Sequence, residues 1–285
     1  MIIKEILGKT VTFFKKYELD NARLDAEVLL ADLLKCERID LYVNFDYPLK
    51  DEEIDKYRKR IIRRIKGEPV AYITGKKEFM SLDIFVNEKV LIPRPETELL
   101  VEKVKTYYEK RNLKNALVVD LGTGSAAIII SLAYYLKSIK AIAVDNSELA
   151  LKIARKNIKH HNLDNRITLK KGDFLKPILE MKSKEKVDII VSNPPYIESN
   201  DMNKLADEVK KEPSLALDGG EDGLDSYREI IPDAANLLKE GGLLALEIGC
   251  NQADMVTSFF NDEWENVRVM QDYAEKDRLI FAERK

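Results

Sequence analysis

The sequence is poor in the residues that bind metals or form disulfides. It has two cysteines, Cys36 and Cys250, which lie far apart without CxxC spacing, and two histidines, His160 and His161, which are adjacent. Neighbouring residues on a helix point about 100° apart, so adjacent histidines make a poor metal pair. We therefore predict neither a disulfide framework nor a metal site.

An excess of positive charge is also absent. The 285 residues include 47 lysines and arginines against 50 aspartates and glutamates, which gives a formal net charge of −3. A protein that coats nucleic acid needs a basic excess, because neutralisation of phosphates supplies most of that affinity. We therefore expect no stable binding of nucleic acid.

Long hydrophobic runs are missing as well. Charges recur from Lys4 onward, so the first residues lack the apolar stretch of a secretory signal. The longest uncharged run, 121–136, is interrupted by Gly122 and Gly124 and is too short to span a bilayer. We expect a cytoplasmic protein that makes no membrane contact, and a monomer.

The length predicts about two domains at roughly 150 residues each, and the composition changes near residue 75. Up to about Lys66 the apolar residues recur with helical spacing, which predicts a small helical domain over 1–75. Its last long helix is rich in lysine and arginine, which suits either a solvated face or a docking face for an acidic or RNA-associated partner. Residues 76–95 are predicted to form a β-hairpin linker with its turn at 87–89, followed by a second domain over 96–285.

Strands and helices alternate through the second domain. The first five strands are joined by helices or loops, which predicts a largely parallel sheet covered on both faces. The last two are separated by a short polar segment and should pair as an antiparallel hairpin at one edge. This α/β arrangement is that of a class I, Rossmann-like seven-stranded methyltransferase sheet. The predicted strands are 116–121, 140–145, 166–170, 187–192, 242–248, 266–271 and 278–283.

A glycine-containing loop from Asp120 to Ala127 follows the first of these strands. Glycine is needed where φ is positive or where a ligand approaches the backbone closely, and the helix that follows offers free N–H groups to an anion. No lysine follows the glycines, which excludes a Walker A loop. Gly122-x-Gly124-x-x-Ala127 also fits a relaxed dinucleotide fingerprint, so NAD(P) is an alternative cofactor at this point.

Two further positions are candidates for binding a nucleoside. Asp145 ends the second strand, where an acid can accept hydrogen bonds from both ribose hydroxyls, although it could instead cap the helix that follows. Phe174, in the triplet Gly172-Asp173-Phe174 after the third strand, could frame an adenine or simply be a core residue after a turn.

The most specific segment is Asn193-Pro194-Pro195-Tyr196, at the carboxyl end of the fourth strand, where open α/β folds bind their ligands. Two prolines fix the backbone and remove two N–H donors. The Asn193 side chain and the Pro194 carbonyl then form a rigid pair of acceptors beside the Tyr196 ring, which suits a planar NH₂ group. We expect these acceptors to orient the poorly nucleophilic nitrogen toward an electrophilic methyl group.

In this order, the glycine loop, Asp145 and residues 193–196 resemble S-adenosylmethionine-dependent methyltransferases that act on planar amino nitrogens. The flanking segments are similar to those of the PrmC/HemK family of peptide chain release factor glutamine methyltransferases, and the similarity spans nearly the whole chain. These segments are Tyr72-Ile73-Thr74-Gly75, Glu78-Phe79, Leu91-Ile92-Pro93-Arg94-Pro95-Glu96-Thr97 and Gly219-Gly220-Glu221-Asp222-Gly223-Leu224.

The resemblance implies N5-methylation of the glutamine in the Gly-Gly-Gln motif of class I release factors, with S-adenosylmethionine as cofactor and S-adenosylhomocysteine as product. It assigns substrate recognition to 1–75 and methyl transfer to 96–285. Asn193, Pro194 and Tyr196 would be catalytic and, with Pro195, would grip the glutamine amide. The cofactor would lie against Gly122, Thr123, Gly124, Ser125 and Ala126, with its ribose at Asp145, its adenine at Phe174 and its methyl end near Asn193.

One position departs from the family, which commonly has glycine where this chain has Ala126. A methyl group is tolerated there if φ is negative. Three alternatives stay open: a DNA adenine-N6 methyltransferase, a ribosomal protein L3 glutamine methyltransferase, and a non-catalytic nucleoside- or NAD(P)-binding protein. A DNA enzyme would need a basic surface to hold the duplex and flip its base, and the Pro-Arg-Pro-Glu-Thr segment favours release factors over ribosomal protein L3.

Overall fold

The computed structural model describes residues 1–180 and 186–285, which divide into two compact units. The first unit contains Met1–Lys76 and the short segment Ala206–Lys211. Its helices are α1 (Ile3–Lys16), α2 (Ala22–Leu34), α3 (Arg38–Val43), α4 (Asp51–Ile65) and α5 (Val70–Thr74). The apolar stripe expected in α2 lies in the core of this unit, where the Tyr57 hydroxyl donates to the Ala26 carbonyl at 2.8 Å.

The basic residues of α4 are largely neutralised inside this unit. Ion pairs join five of them to acidic partners: Lys56–Glu52, Arg58–Asp55, Arg60–Asp32, Arg63–Glu68 and Arg64–Asp25. Arg64 is buried and also contacts Glu208, which lies in the segment from the second half of the chain, at 3.0 Å. This pattern favours a solvated, internally paired face over a basic docking face.

The second unit contains Lys77–Leu205 and Glu212–Lys285. Its main sheet confirms the predicted class I architecture: the strand order is β5-β4-β3-β6-β7-β9-β8, parallel from β5 to β7, with β9 antiparallel to both β7 and β8. The strands are β3 (Leu117–Leu121), β4 (Lys140–Asp145), β5 (Ile167–Lys171), β6 (Val187–Ser192), β7 (Leu238–Glu247), β8 (Trp264–Gln271) and β9 (Asp277–Arg284).

The central strands are buried along their length because helices cover the sheet. The helices of this unit are α6 (Pro95–Lys110), α7 (Ala127–Tyr135), α8 (Glu148–His160), α9 (Lys176–Leu179), α10 (Asp225–Leu237) and α11 (Ala253–Thr257). Within the described residues, no helix is both long and apolar enough to cross a membrane. The carboxyl ends of β3, β4 and β6 bring the three sequence motifs to one edge of the sheet.

The hairpin predicted within 76–95 is wrong in its turn, which was expected at 87–89. Strands β1 (Lys76–Phe79) and β2 (Leu82–Phe85) form a two-stranded sheet joined by Met80 and Ser81, both with positive φ (50° and 57°). Residues 90–92 are not a strand. They are an apolar run that is largely buried, and the Ile92 N–H donates to the Glu212 carboxylate at 2.9 Å instead of to a strand partner.

Candidate active site

A cavity of about 260 Å³ lies in the second unit, at the carboxyl edge of the parallel strands. Its wall includes six of the residues singled out from the sequence: Gly122, Gly124, Asp145, Phe174, Asn193 and Pro195. Five others do not line it: Thr123, Ser125, Ala126, Pro194 and Tyr196. The predicted motifs therefore converge on one cavity, and the glycine loop and the tetrapeptide 193–196 each contribute both wall residues and supporting residues.

The two loop glycines are positioned for a ligand to approach closely. Gly122 and Gly124 have φ of +65° and +54°, and a Cβ on either would meet no heavy atom closer than 4.0 Å. The supporting residues hold the loop in shape, since Thr123 donates its N–H to the Val144 carbonyl at 2.9 Å. A bound molecule can thus contact the backbone where any side chain would stand in its way.

The methyl group of Ala126 was expected to be tolerated at a negative φ, but the structure gives this residue a positive φ. Its φ is +66° and it is fully buried at the N-cap of α7, so an alanine occupies a left-handed conformation that favours glycine. Its N–H donates to the Thr123 carbonyl at 2.7 Å. The loop therefore keeps the conformation of a glycine-rich sequence at the expense of local strain.

Asp145 supports the loop from the neighbouring strand. Its Oδ2 accepts from the Gly124 N–H and its Oδ1 from the Ser147 N–H, both at 2.8 Å. The helix cap itself is Ser147, whose hydroxyl accepts from the Ala150 N–H. Burial raises the pKa of Asp145 while these two N–H donors lower it. Each carboxylate oxygen keeps a lone pair that can accept from a ligand hydroxyl.

A second acid, Asp120, lies fully buried at the end of β3. Its Oδ2 accepts from the Thr123 hydroxyl at 2.5 Å, whereas its Oδ1 has no hydrogen-bond partner in the described chain. Burial raises the pKa of this carboxyl to about 7. A buried oxygen without a hydrogen-bond partner is costly; the Ile129 N–H beside this carboxyl lowers its pKa, and Asp120 does not line the cavity.

Phe174 fits both interpretations made from the sequence, because it lines the cavity and also packs against the sheet core. The preceding Gly172 has φ of +154°, and a Cβ there would lie 2.8 Å from Cγ of Pro177. Glycine is therefore required for the chain to turn and present the aromatic ring to the cavity.

The Asn193 side chain is held from outside the cavity. Its Nδ2 donates to the Thr97 hydroxyl oxygen at 3.1 Å, and that hydroxyl donates to Oε2 of Glu247 at 2.7 Å. Burial raises the pKa of Glu247 to about 7. The sequence interpretation included Thr97 only as part of a family segment, with no role at the site, and it missed Glu247, although an acid in the apolar run 243–248 is a signal that could have pointed to it.

The backbone carbonyls of the tetrapeptide are not equivalent. Ser226 donates to the Pro195 carbonyl at 3.2 Å, and Gln252 donates to the Tyr196 carbonyl at 3.0 Å. No group in the described residues donates to the Pro194 carbonyl. The Pro194 carbonyl, the backbone acceptor expected from the sequence, is thus available to a ligand.

Glycines in the segment 219–223 allow this loop to pack against the tetrapeptide. A Cβ on Gly219 would lie 2.8 Å from Cα of Tyr196, and one on Gly223 would lie 2.5 Å from the Tyr196 carbonyl oxygen. Burial also raises the pKa of the Tyr196 hydroxyl to about 12, so it stays neutral. The segment 219–224, which the sequence analysis identified as similar to the family, therefore packs against residues 195–196 and holds them in place.

The cavity wall has more carboxylates than cations, although Asp173 and Glu229 pair with Lys176 and Asp225 pairs with Arg228. It contains one lysine, Lys89, and five carboxylates, which are those of Asp145, Asp173, Asp218, Asp225 and Glu229. Such a wall favours a cationic ligand and disfavours an anionic one. Among the residues described, no group of three or more histidine, cysteine or acidic side chains could hold a metal ion.

Comparison with known proteins places this geometry in a family. The PrmC N-terminal domain matches residues 5–75, and a methyltransferase domain matches residues 112–279. The release factor glutamine methyltransferases of Clostridium acetobutylicum and Moorella thermoacetica are 41% and 40% identical to the chain, and each alignment covers 100% of this chain and 99% of the relative.

Among solved structures, the hMettl16 catalytic domain in complex with MAT2A 3'UTR hairpin 1 has a TM-score of 0.59 at 18% identity and covers 91% of both chains. That similarity shows the fold alone. The full-length similarity to the two bacterial enzymes, together with the matched N-terminal and methyltransferase domains, shows that this chain belongs to the release factor glutamine methyltransferase family.

Proposed function

We propose that this protein transfers a methyl group from S-adenosylmethionine to the side-chain amide nitrogen of the glutamine in the Gly-Gly-Gln motif of class I release factors. The observation that carries this proposal is the pair of acceptors at the end of β6. Asn193 lines the cavity with its NH₂ group committed to Thr97, and the Pro194 carbonyl accepts from no described residue. Two acceptors suit the two hydrogens of a planar amide NH₂.

The cavity fits S-adenosylmethionine better than NAD(P). A dinucleotide would bring an anionic pyrophosphate against a wall with more carboxylates than cations, whereas S-adenosylmethionine carries a sulfonium cation. Asp145 offers lone pairs to the ribose hydroxyls, and the open backbone at Gly122 and Gly124 admits a close ligand. In this proposal Phe174, which lines the cavity, contacts the adenine.

When bound, S-adenosylmethionine supplies an electrophilic methyl group on its sulfonium. Asn193 and Pro194 accept the two amide hydrogens and so fix the direction of the nitrogen lone pair, while the Tyr196 ring packs on the amide face. Most of the rate gain then comes from orientation and from acceptors that need no rearrangement. The amide nitrogen would take the methyl group directly and in line as the bond from the methyl carbon to sulfur breaks, leaving S-adenosylhomocysteine, and its proton would leave to water, so no general base or covalent intermediate is assigned.

We assign recognition of the release factor to the first unit, since its residues 5–75 match the PrmC N-terminal domain. The ion-paired state of α4 argues that this recognition does not depend on a free basic face. A monomeric, cytoplasmic enzyme without stable nucleic-acid binding remains our prediction.

The direct test is methyl transfer from radiolabelled S-adenosylmethionine to a purified class I release factor. The same factor with its Gly-Gly-Gln glutamine substituted, ribosomal protein L3 and duplex DNA are assayed beside it. We expect label on the unsubstituted release factor alone. Label on ribosomal protein L3 or DNA instead, or on none of the four, would overturn the proposal.

A further inference from the structure

Three side chains from distant parts of the second unit form a chain of hydrogen bonds that ends at the proposed glutamine site. Asn193 follows β6, Thr97 lies in the first turn of α6, and Glu247 ends β7. The successive distances are 3.1 Å from Asn193 Nδ2 to Thr97 Oγ1 and 2.7 Å from Thr97 Oγ1 to Glu247 Oε2. Thr97 and Glu247 are 4% and 1% exposed, so water does not replace these partners.

The order of donors in this chain is fixed by the number of hydrogens available. A threonine hydroxyl has one hydrogen, and an ionised carboxylate can only accept, so Thr97 donates to Glu247. The oxygen of Thr97 can then only accept from Asn193, which requires the NH₂ group of the amide to face it. The carbonyl oxygen Oδ1 of Asn193 must therefore face the other way, toward the substrate.

We propose that Thr97 and Glu247 are positioning residues that hold the Asn193 amide with its carbonyl oxygen toward the substrate amide. The two orientations of an asparagine side chain have nearly the same shape, so packing alone does not select one. The inference rests on the proposed function, because only a donor substrate such as an amide NH₂ requires this orientation.

The environment of Glu247 shows that its charge is not kept for stability. No ion pair with Glu247 occurs in the described chain, although the charges of Arg278 on β9 and Arg94 before α6 favour ionisation and that of Glu96 opposes it. The Tyr227 hydroxyl on α10 donates to the Glu247 backbone carbonyl, and the Tyr196 phenol lies nearby. A buried unpaired carboxylate is destabilising, so the charge of Glu247 does not by itself stabilise the fold.

Protonation of Glu247 would undo the arrangement. A neutral carboxyl can donate to Thr97, which frees the Thr97 hydrogen to bond to Asn193 Oδ1 and lets the amide rotate by half a turn. Its NH₂ group would then face the substrate NH₂, donor against donor. Turnover therefore requires ionised Glu247 and should fall as pH decreases through its pKa of about 7.

Steady-state kinetics of three variants test the positioning role. Thr97→Val removes the hydroxyl at constant shape, and we expect kcat to fall about 10- to 100-fold because the Asn193 NH₂ loses its acceptor. The dissociation constant of S-adenosylmethionine should stay unchanged, and Thr97→Ser should recover most of the lost rate. Thr106→Val is the matched control, because the Thr106 hydroxyl is exposed and bonds within α6 to the Glu102 carbonyl.

The pH profile separates positioning from a purely structural role. Wild-type kcat should decline between pH 8 and pH 6, whereas Glu247→Gln should be slower at pH 8 and lack this decline, since its amide both donates and accepts at every pH. A wild-type rate in Thr97→Val, or the same acid limb in Glu247→Gln, would overturn the inference.

A spectroscopic measurement tests the chain of hydrogen bonds without any turnover. In ¹⁵N-asparagine-labelled protein, the Asn193 side-chain NH₂ signal is assigned by its loss in Asn193→Ala. We expect this signal to titrate with a pKa near 7 in the wild type and to be flat in Glu247→Gln. A signal that is flat in the wild type and also unchanged in Glu247→Gln would refute the positioning role even if release factor labelling succeeds, and a titrating signal would support it even if the labelling fails.

Discussion

At the scale of single residues, the site is defined by the oxygen atoms that accept no hydrogen bond from the rest of the fold. The carbonyls of Pro195 and Tyr196 are used by Ser226 and Gln252 to hold the backbone in place. The Pro194 carbonyl and Oδ1 of Asn193 are among the acceptors left for a ligand. Specificity for an NH₂ group follows from what the rest of the fold has already occupied.

Asn193→Ala is therefore predicted to abolish turnover while leaving cofactor binding largely intact. The substitution removes one of two acceptors for the substrate amide, and loss of one preorganised group of this kind lowers kcat by about 10²- to 10³-fold. Methyl transfer and calorimetric binding of S-adenosylmethionine check the two halves. Asn200→Ala, at an exposed position in the same loop, is the control, and a near wild-type rate in Asn193→Ala would refute the assignment.

Asp145→Ala is predicted to weaken the binding of S-adenosylmethionine. Hydrogen bonds to a charged group contribute about 1.5–3 kcal/mol, so losing them at the ribose should weaken S-adenosylmethionine binding by about 10- to 100-fold. Because the carboxylate also anchors the Gly124 and Ser147 N–H groups, Asp145→Asn, which keeps one acceptor oxygen, should be less affected. An unchanged dissociation constant in Asp145→Ala would contradict the ribose role.

Ala126 and its neighbour Ala127 provide a matched pair for measuring backbone strain. Both are buried, but Ala126 has φ of +66° whereas Ala127 begins α7. Glycine relieves a left-handed alanine by about 1–2 kcal/mol and weakens a helix by about 1 kcal/mol. In urea denaturation, Ala127→Gly should lower the free energy of unfolding by about 1 kcal/mol or more. Ala126→Gly should not lower it by this amount. Equal losses in both variants would show that the loop is unstrained.

The residues that the sequence identified share one property: each belongs to a short motif at the end of a predicted strand. Asp145 and Asn193 could be found in this way because the strand marks which sheet edge they occupy. Thr97 and Glu247 could not be paired from the sequence, since 150 positions separate them. Their contact exists only because α6 packs beside β7 in the folded unit.

At the scale of elements, the predictions from the sequence were most accurate for strands that are buried on both faces of the sheet. Strands β3, β4 and β6 are continuous apolar runs, and their predicted bounds agree closely with the structure. The prediction failed at the hairpin, because Met80 and Ser81 carry no turn signal while the polar residues 87–89 do. Strand β7 begins at Leu238, earlier than the predicted 242. Glycine is unfavourable in strands, so the glycines at 241 and 242 kept the residues before them from being predicted as strand.

The hairpin itself offers a test of turn chemistry. Ser81 is exposed with φ of 57°, a conformation that disfavours a residue with a Cβ by about 1–2 kcal/mol. Ser81→Gly should therefore raise the free energy of unfolding by about 1 kcal/mol, whereas Ser81→Ala should leave it nearly unchanged. Thermal or urea denaturation of both variants checks this. A gain shared by the two would attribute the effect to loss of the hydroxyl rather than to the turn.

At the scale of the whole molecule, the charge is nearly balanced, but two carboxyl groups have pKa values well above the usual range. Asp120 and Glu247 are buried, and burial raises the pKa of each to about 7. In the unfolded chain the same groups titrate near 4. The folded protein therefore binds more protons than the unfolded chain between those values, and the free energy of unfolding decreases as pH rises through this window.

Removing either charge should flatten that dependence. Between pH 5.5 and pH 8.0 a carboxyl with a folded pKa of about 7 lowers the stability of the wild type by about 2 kcal/mol. Glu247→Gln and Asp120→Asn are neutral at both pH values, so each should gain about that amount relative to wild type as pH rises. Urea denaturation without cofactor measures it, with Glu240→Gln at an exposed position as control. If the difference between a variant and wild type were the same at both pH values, that carboxyl would be already ionised at pH 5.5, and for Glu247 the acid limb expected for turnover would disappear with it.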